Sequence, residues 1–385
     1  MMKTLASIGG VVLIVIILWD AFETIILPRR ISRRVRLTRM FFSVTWYPYR
    51  AVARHIKATK LRESTLGLFG PFSLLLLLAV WVVGLILGFA LWQWGLETPL
   101  DAPDKAVSFL TYLYMSGVTF LTLGFGDVIP SDTFGRVFTV IEAGVGFGFL
   151  ALIIGYLPVI YQGFSKREVS ISLLDARAGS PPSASELVRR YAVGGNLAAL
   201  DELLAEWEKW SAELLESHLS YPVLAYFRSQ HTNQSWLAAL VTILDTCALL
   251  MANVRGYPAW QARLTFAMAR HACVDLLQVY HGTPIEDDAD RLPPEDRILM
   301  RERLIAAGVE FSGNVEAERE LDKLRAAYEP YAKAIAKQFL LELPQWNPKP
   351  GKKDNWQTTP RRFSQVLEET TATELVKTKQ DEHAW

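Results

Sequence analysis

The sequence predicts an all-α membrane protein with a helical soluble region appended. Three observations carry this: three apolar runs long enough to cross a bilayer, a sharp change in charge along the chain, and helical rather than alternating periodicity in the later half. The chain has 385 residues, 51% of them hydrophobic. Apolar runs concentrate before Gln162, and charged residues dominate from Ser165 onward. The formal net charge of zero therefore averages regions of opposite character, and only local charge has physical meaning.

About 20 apolar residues are needed to span the hydrocarbon core, because inside lipid only a helix satisfies its own backbone amides. Leu5 to Leu27, Pro71 to Leu96 and Val137 to Tyr161 qualify. The first run is expected to be an uncleaved anchor: Trp19, Asp20 and Glu23 stand where a signal peptide would place a small-residue cleavage site. Arg29 to Arg62 carries eleven basic residues and no acidic one, so the positive-inside rule puts it in the cytoplasm. Alternation then gives an external N-terminus, an external loop at Gly95 to Lys105 and a cytoplasmic C-terminal half, in a multi-pass protein of the inner or plasma membrane. Trp92 and Trp94 fit the outer interface, whereas Trp46, Tyr47 and Tyr49 fit an amphipathic segment along the inner one. Arg30, Arg33, Arg36 and Arg39 have the spacing of a voltage-sensing helix. With one span before them and Arg29 and Arg34 off the pattern, an interfacial helix attracting anionic lipid is the preferred reading. Asp20 and Glu23 are expected to form a local salt bridge with Arg29 and Arg30.

Between the second and third spans, Ala106 to Phe120 is apolar and of helix length. It leads into Leu121-Thr122-Leu123-Gly124-Phe125-Gly126-Asp127-Val128-Ile129-Pro130. A bare cation enters a narrow pore when oxygens replace its hydration shell, and rings of backbone carbonyls do this without a fixed charge that would trap it. Aiming successive carbonyls at one axis forces alternate residues toward angles that glycine adopts cheaply, and Gly124 and Gly126 have that alternation. Thr122 can add its hydroxyl as the innermost ring, near the C-terminal dipole of the preceding helix.

This segment resembles the pore-loop signature of the potassium channel family, Thr-x-x-Thr-x-Gly-(Tyr/Phe)-Gly-Asp, with Thr119 as the first threonine. The resemblance covers residues 71–164. It implies a potassium-channel pore domain of outer helix, pore helix, filter and inner helix, preceded by one extra transmembrane helix and followed by a helical cytoplasmic domain. It also implies a selectivity filter at Thr122, Leu123, Gly124, Phe125 and Gly126, supported by Thr119 and Asp127, with potassium held at Thr122 to Phe125. One loop per chain implies a homotetramer. Phe125 lacks the hydroxyl of the common tyrosine, and Tyr114-Met115 replaces a tryptophan pair found in some relatives, so the aromatic cuff is expected to be looser. Glu97, Asp101 and Asp104 have two readings of equal weight: concentrating cations at the mouth, or forming an ordinary solvated acidic loop.

In the third span Gly144 or Gly146 stands where the family has a gating hinge, with close helix packing as the competing explanation. Pro158 is expected near a cytoplasmic gate. Glu142, a costly carboxylate within a span, has two readings: attracting cations to the cavity, or bonding behind the filter to hold the pore helix.

From Ser183 helices are expected at 183–191, 198–219, 236–254, 258–280, 294–308 and 315–343. The run 237–252 is apolar but short and contains Asp245, which favours a core helix over a fourth span. Cys247 and Cys273 form no metal-binding or redox motif. The loop Glu286-Asp287-Asp288-Ala289-Asp290 lacks the glycine and distal glutamate of a calcium-binding hand. His271 beside Cys273 is expected in the core rather than on a metal. Domains are accordingly placed at 1–30, 31–70, 71–164 and 165–345, with a disordered tail over 346–385. The expected function is passive potassium conduction, without catalysis or cofactor. The partners are potassium ions, the lipid bilayer and further copies of the chain, with no nucleic acid; an unknown ligand or protein at the helical domain is allowed. Alternatives are a weakly selective cation channel and a membrane-anchored scaffold with a vestigial pore.

Overall fold

A computed structural model describes residues 1–27, 36–103, 107–229, 233–286 and 290–348. The arginines at 29–34, Asp104, most of the acidic loop and the tail from 349 lie outside these. The protein is an all-α membrane protein with a helical C-terminal region. It divides into a unit of residues 1–165 with 216–228, and a second of residues 166–215 and those from Ser229 onward.

In the first unit, α1 (Met2–Ala21) ends in a π-helical turn, Phe22–Ile26. α2 (Leu37–His55), α3 (Thr59–Gly95), α4 (Phe109–Phe120) and α5 (Thr133–Ala178, whose stretch from Lys166 belongs to the second unit) follow. α3 starts twelve residues before Pro71, where the second span was expected to begin. Pro71 removes one ladder bond, and packing on both sides, at buried Phe69, Gly70 and Leu74, carries the helix through it. α5 likewise runs past the expected span at both ends and through Pro158.

α1 packs along α3 by close backbone approach. A Cβ on Gly10 would stand 2.5 Å from the Gly88 carbonyl oxygen, one on Gly95 2.5 Å from that of Lys3, and one on Gly84 2.4 Å from Ile17 Cδ1. Small residues admit such contact where dispersion rather than water exclusion draws helices together. Asp20 is buried and accepts from Trp81 Nε1 at 3.0 Å and from Thr38 Oγ1 at 2.5 Å, so its described partners lie on α3 and α2. Glu23 accepts from Trp19 Nε1 at 2.8 Å and lies 3.6 Å from Arg36 Nε. The partners expected for these acids, Arg29 and Arg30, are not among the described residues.

The unit also contains a segment from far along the chain. The 3-10 turn Pro222–Tyr226 inserts Val223 and Leu224 among Leu74, Tyr156 and Ile160. Tyr226 stacks on Phe42 at 5.2 Å and meets Trp46 and Phe69 at the same distance. Trp46 and Tyr49 thus face protein, while Met40, Val44, Tyr47 and Val52 leave the outer side of α2 apolar and exposed.

The second unit contains α6 (Ala184–Val193), α7 (Leu200–Ser220, whose last turn lies in the first unit), α8 (Trp236–Asn253) and α9 (Trp260–Val279). α10 (Pro294–Ala306), α11 (Val315–Ala326) and α12 (Glu329–Phe339) complete it. The single helix expected over 315–343 is two, broken at Ala327 and Tyr328, because Pro330 disfavours continuation from the preceding turn. Among the described residues, four helices are long and apolar enough to span a membrane, but α8 has 89% of its apolar stretch buried within the protein, against 17–44% for α1, α3 and α5. α8 is therefore a core helix. Its Asp245 is ligated by Arg291 at 2.6 and 3.2 Å and by the Tyr328 hydroxyl, and Arg291 also meets Glu329 at 3.1 Å. His271 is exposed, 3.7 Å from Asp275, contrary to its expected place in the core: its position on α9 turns it away from the buried Ala272 and Cys273.

Candidate ion-conduction site

The site is built on α4, the loop that follows it and the upper part of α5. α4 opens with a capping box, Ser108 with Thr111, and ends at Phe120, whose ring is buried beside Phe149 at 6.4 Å. The N–H groups of Thr122 and Leu123 turn back to the carbonyls of Thr119 and Val118, at 3.0 and 2.9 Å, and Gly124 N lies 3.5 Å from the Val118 carbonyl. These donors are thereby engaged by the helix end.

Alternation is explicit in the backbone. Thr122, Gly124 and Gly126 have φ of +56°, +60° and +76°. Glycine adopts this region cheaply, but a β-branched threonine is strained there by about 1 kcal/mol or more. Thr122 was expected to contribute a hydroxyl; its backbone also begins the alternation, which residue type alone did not reveal.

The far end is fastened separately. Tyr114 Oη donates to Asp127 Oδ2 at 2.8 Å, joining the pore helix to the filter exit. The tyrosine at the position of a missing tryptophan thus supplies a bond of its own, where a loose cuff was expected. Beyond Asp127, Ile129–Pro130 pairs antiparallel with Leu100–Asp101, and Ser131 N donates to the Pro99 carbonyl at 2.9 Å. Tyr112 Oη donates to the Thr98 carbonyl at 2.7 Å. Glu97 is paired with Lys3, which neutralises one of the charges expected to draw cations to the mouth.

Glu142 is fully buried. Its carboxyl contacts Ser116 Oγ of the pore helix and lies 3.1 Å from Gln93 Nε2 of α3, so its described bonds are behind the filter rather than into a cavity. Gln93 and Ser116 were missed in the sequence, although a buried glutamate in a span signals that polar partners must exist nearby. One turn on, Gly146 lies against the pore helix: a Cβ there would stand 2.0 Å from the Phe120 carbonyl oxygen. Gly144 and Pro158 are exposed in the protomer, and nothing lies within 4 Å of a Cβ on Gly144. Thr119 accepts the Thr122 N–H through its carbonyl.

Residues 75–162 match the family model described as "Ion channel". The matched segment is similar to an ion-channel domain. The match begins within α3 and ends in α5, enclosing the pore helix, the filter loop and Glu142. One curated relative, the "Uncharacterized membrane protein YdjJ" of Bacillus subtilis (strain 168), is 25% identical over 237 residues, covering 60% of this chain and 67% of its own. No solved structure matches the chain.

The loop that follows α4 is uncovered in the chain. Leu121, Leu123 and Phe125 are 53%, 54% and 66% exposed, an apolar loop that one chain alone does not bury.

Proposed function

We propose that this protein is a potassium-selective channel, conducting passively through a homotetramer in which the carbonyl oxygens of Thr122, Leu123, Gly124 and Phe125 replace the ion's water. The carrying observation is the run of positive φ at Thr122, Gly124 and Gly126, with amides tied back to the pore helix, inside a segment that matches ion channels. Four such loops close a ring, and the exposed Leu123 and Phe125 are the side chains that neighbouring protomers would cover. The basic stretch before α3 supports an external N-terminus and a cytoplasmic C-terminal unit in the inner or plasma membrane. Conduction needs neither catalysis nor a cofactor.

Potassium flux from liposomes holding the purified full chain tests this. Wild-type protein is expected to pass potassium with bi-ionic reversal potentials favouring it over sodium. Gly124→Ala, which forces an alanine to φ +60° at a cost of about 1–2 kcal/mol per residue, is expected to abolish flux. Equal sodium and potassium permeability would leave a weakly selective cation channel, and absence of flux would reject conduction.

A further inference from the structure

Three oxygens behind the filter lie in a chain with more contacts than an ionised carboxylate allows. Ser116 Oγ is 2.8 Å from the Ile86 carbonyl oxygen and also contacts Glu142 Oε1. Two oxygen–oxygen hydrogen bonds need two hydrogens. The Ile86 carbonyl has none and the serine hydroxyl has one. The second must come from the carboxyl group. On an ionised Glu142 the single serine proton would serve one contact, and the other would press two acceptors together in a site with no solvent. A neutral acid supplies a hydrogen for each of these contacts: Glu142 Oε1–H donates to Ser116 Oγ, Ser116 O–H donates to the Ile86 carbonyl, and Oε2 accepts from Gln93 Nε2 at 3.1 Å, with Gln93 Oε1 left without a described donor.

The surroundings provide no described counter-charge. Four titratable or charged groups on or beside the elements packed around Glu142 are engaged elsewhere. On α4, Tyr112 donates to the Thr98 carbonyl and Tyr114 to Asp127. Beyond the end of α3, Glu97 pairs with Lys3 of α1, and on α5 Arg136 Nε donates to the Pro130 carbonyl at 3.3 Å. An isolated carboxylate without solvent is strongly disfavoured against its neutral form.

We propose that Glu142 is a protonated brace: a neutral carboxylic acid whose hydrogen ties the inner helix to the pore helix at Ser116 and through it to Ile86 of the outer helix, while its other oxygen accepts directly from Gln93 of the outer helix. It is a positioning residue. Ser116 lies one turn before the end of α4, and Thr122 to Gly124 hang from that end by their amides, so the brace fixes the height of the filter's inner oxygens. The positioning role rests on the channel reading above; the protonation does not.

Infrared difference spectra of the full chain in lipid at neutral pH, wild type minus Glu142→Gln, test the proton directly. The expected result is a carboxylic-acid carbonyl band in wild type that shifts in heavy water and is missing from the variant. A carboxylate band in its place overturns the proposal, whether or not the protein conducts. Flux tests the positioning. Glu142→Gln keeps one donor and one acceptor, so its potassium-to-sodium permeability ratio is expected to stay within about twofold of wild type, and Glu142→Asp, one methylene short, to lose about tenfold. Wild-type selectivity in the Asp variant overturns the brace. No flux from any variant, wild type included, rejects the channel reading and leaves the infrared result to stand alone.

Discussion

Replacing Gly146 by alanine separates two roles that a glycine in the inner helix can have. As a hinge, Gly146 matters because it bends. As a contact, it matters because it is small. The Cβ of an alanine would meet the Phe120 carbonyl oxygen at 2.0 Å and its carbonyl carbon at 2.8 Å, both below the 3.0 Å that real Cβ contacts respect. Phe120 is 3% exposed and packed beside Phe149, so its side chain has no room to withdraw. The inner helix and pore helix must then part by about 1 Å, an overpacking cost of about 1–3 kcal/mol. Alanine returns about 1 kcal/mol of helix propensity, so the loss of stability is modest, at most about 2 kcal/mol. The geometric effect is larger, because Phe120 is two residues from Thr122, and a shift of about 1 Å at a site built on oxygen placement can cost about a hundredfold. Gly146→Ala is expected to assemble and to lose potassium flux or selectivity in liposomes. Gly144→Ala, whose Cβ has nothing within 4 Å in the protomer, is expected to conduct. Wild-type behaviour of Gly146→Ala, or equal impairment of both variants, would refute the packing argument.

In the C-terminal unit, Asp245→Ala removes the acceptor of the buried Tyr328 hydroxyl and one acceptor of the Arg291 guanidinium, which keeps Glu329 and the Pro344 carbonyl; the expected loss is about 1–3 kcal/mol, read as a lowered thermal midpoint, with Asp245→Asn milder. Burial pushes the Glu186 carboxyl up, but hydrogen bonds from Arg189 and Arg190 outweigh it and hold the group at about 2. Because that lies below its ordinary value of 4.5, the stability it contributes is present above pH 4.5 and fades as pH falls toward 2; Glu186→Gln is expected to flatten the acid limb of the stability curve over that window. Cys247 and Cys273 are fully buried, and burial pushes both thiols up, Cys273 to about 12. Neither is expected to react with a maleimide until the chain unfolds, and rapid labelling of native protein would contradict this burial.

The membrane part was legible because lipid imposes length. Three apolar runs emerged as three long helices, and Asp245 marked α8 as a core helix for a sound reason: an acid in the middle of an apolar run needs a partner, which Arg291 supplies. The backbone alternation after α4 was legible at Gly124 and Gly126, because glycines at alternate positions admit positive φ cheaply. The fastenings were not. Tyr114 to Asp127, Glu142 to Ser116 and Gly146 to Phe120 are contacts between elements, and spacing along one element does not announce its partner on another. Composition likewise placed the boundary between the two halves near Ser165, but Pro222–Tyr226 crosses it, because a short turn rich in apolar and aromatic side chains packs wherever aromatic surface is available. The helix expected over 315–343 erred for a simpler reason: apolar periodicity persisted across Pro330, and the proline was underweighted.

The joint between α1 and α3 brings main chain against main chain where Gly10 faces Gly88 and Gly95 faces the carbonyl of Lys3, beside buried side chains such as Ile14, Ile17 and Trp81. A seam of that kind asks little of the side chains that point away from it. Lipid-facing positions of both helices are free to drift among apolar residues, while a single methyl group at any of these glycines would pry the pair open. In comparisons at the level of 25% identity, where most apolar matches are uninformative, these few glycines are the letters by which kinship in the first helix would be spelled.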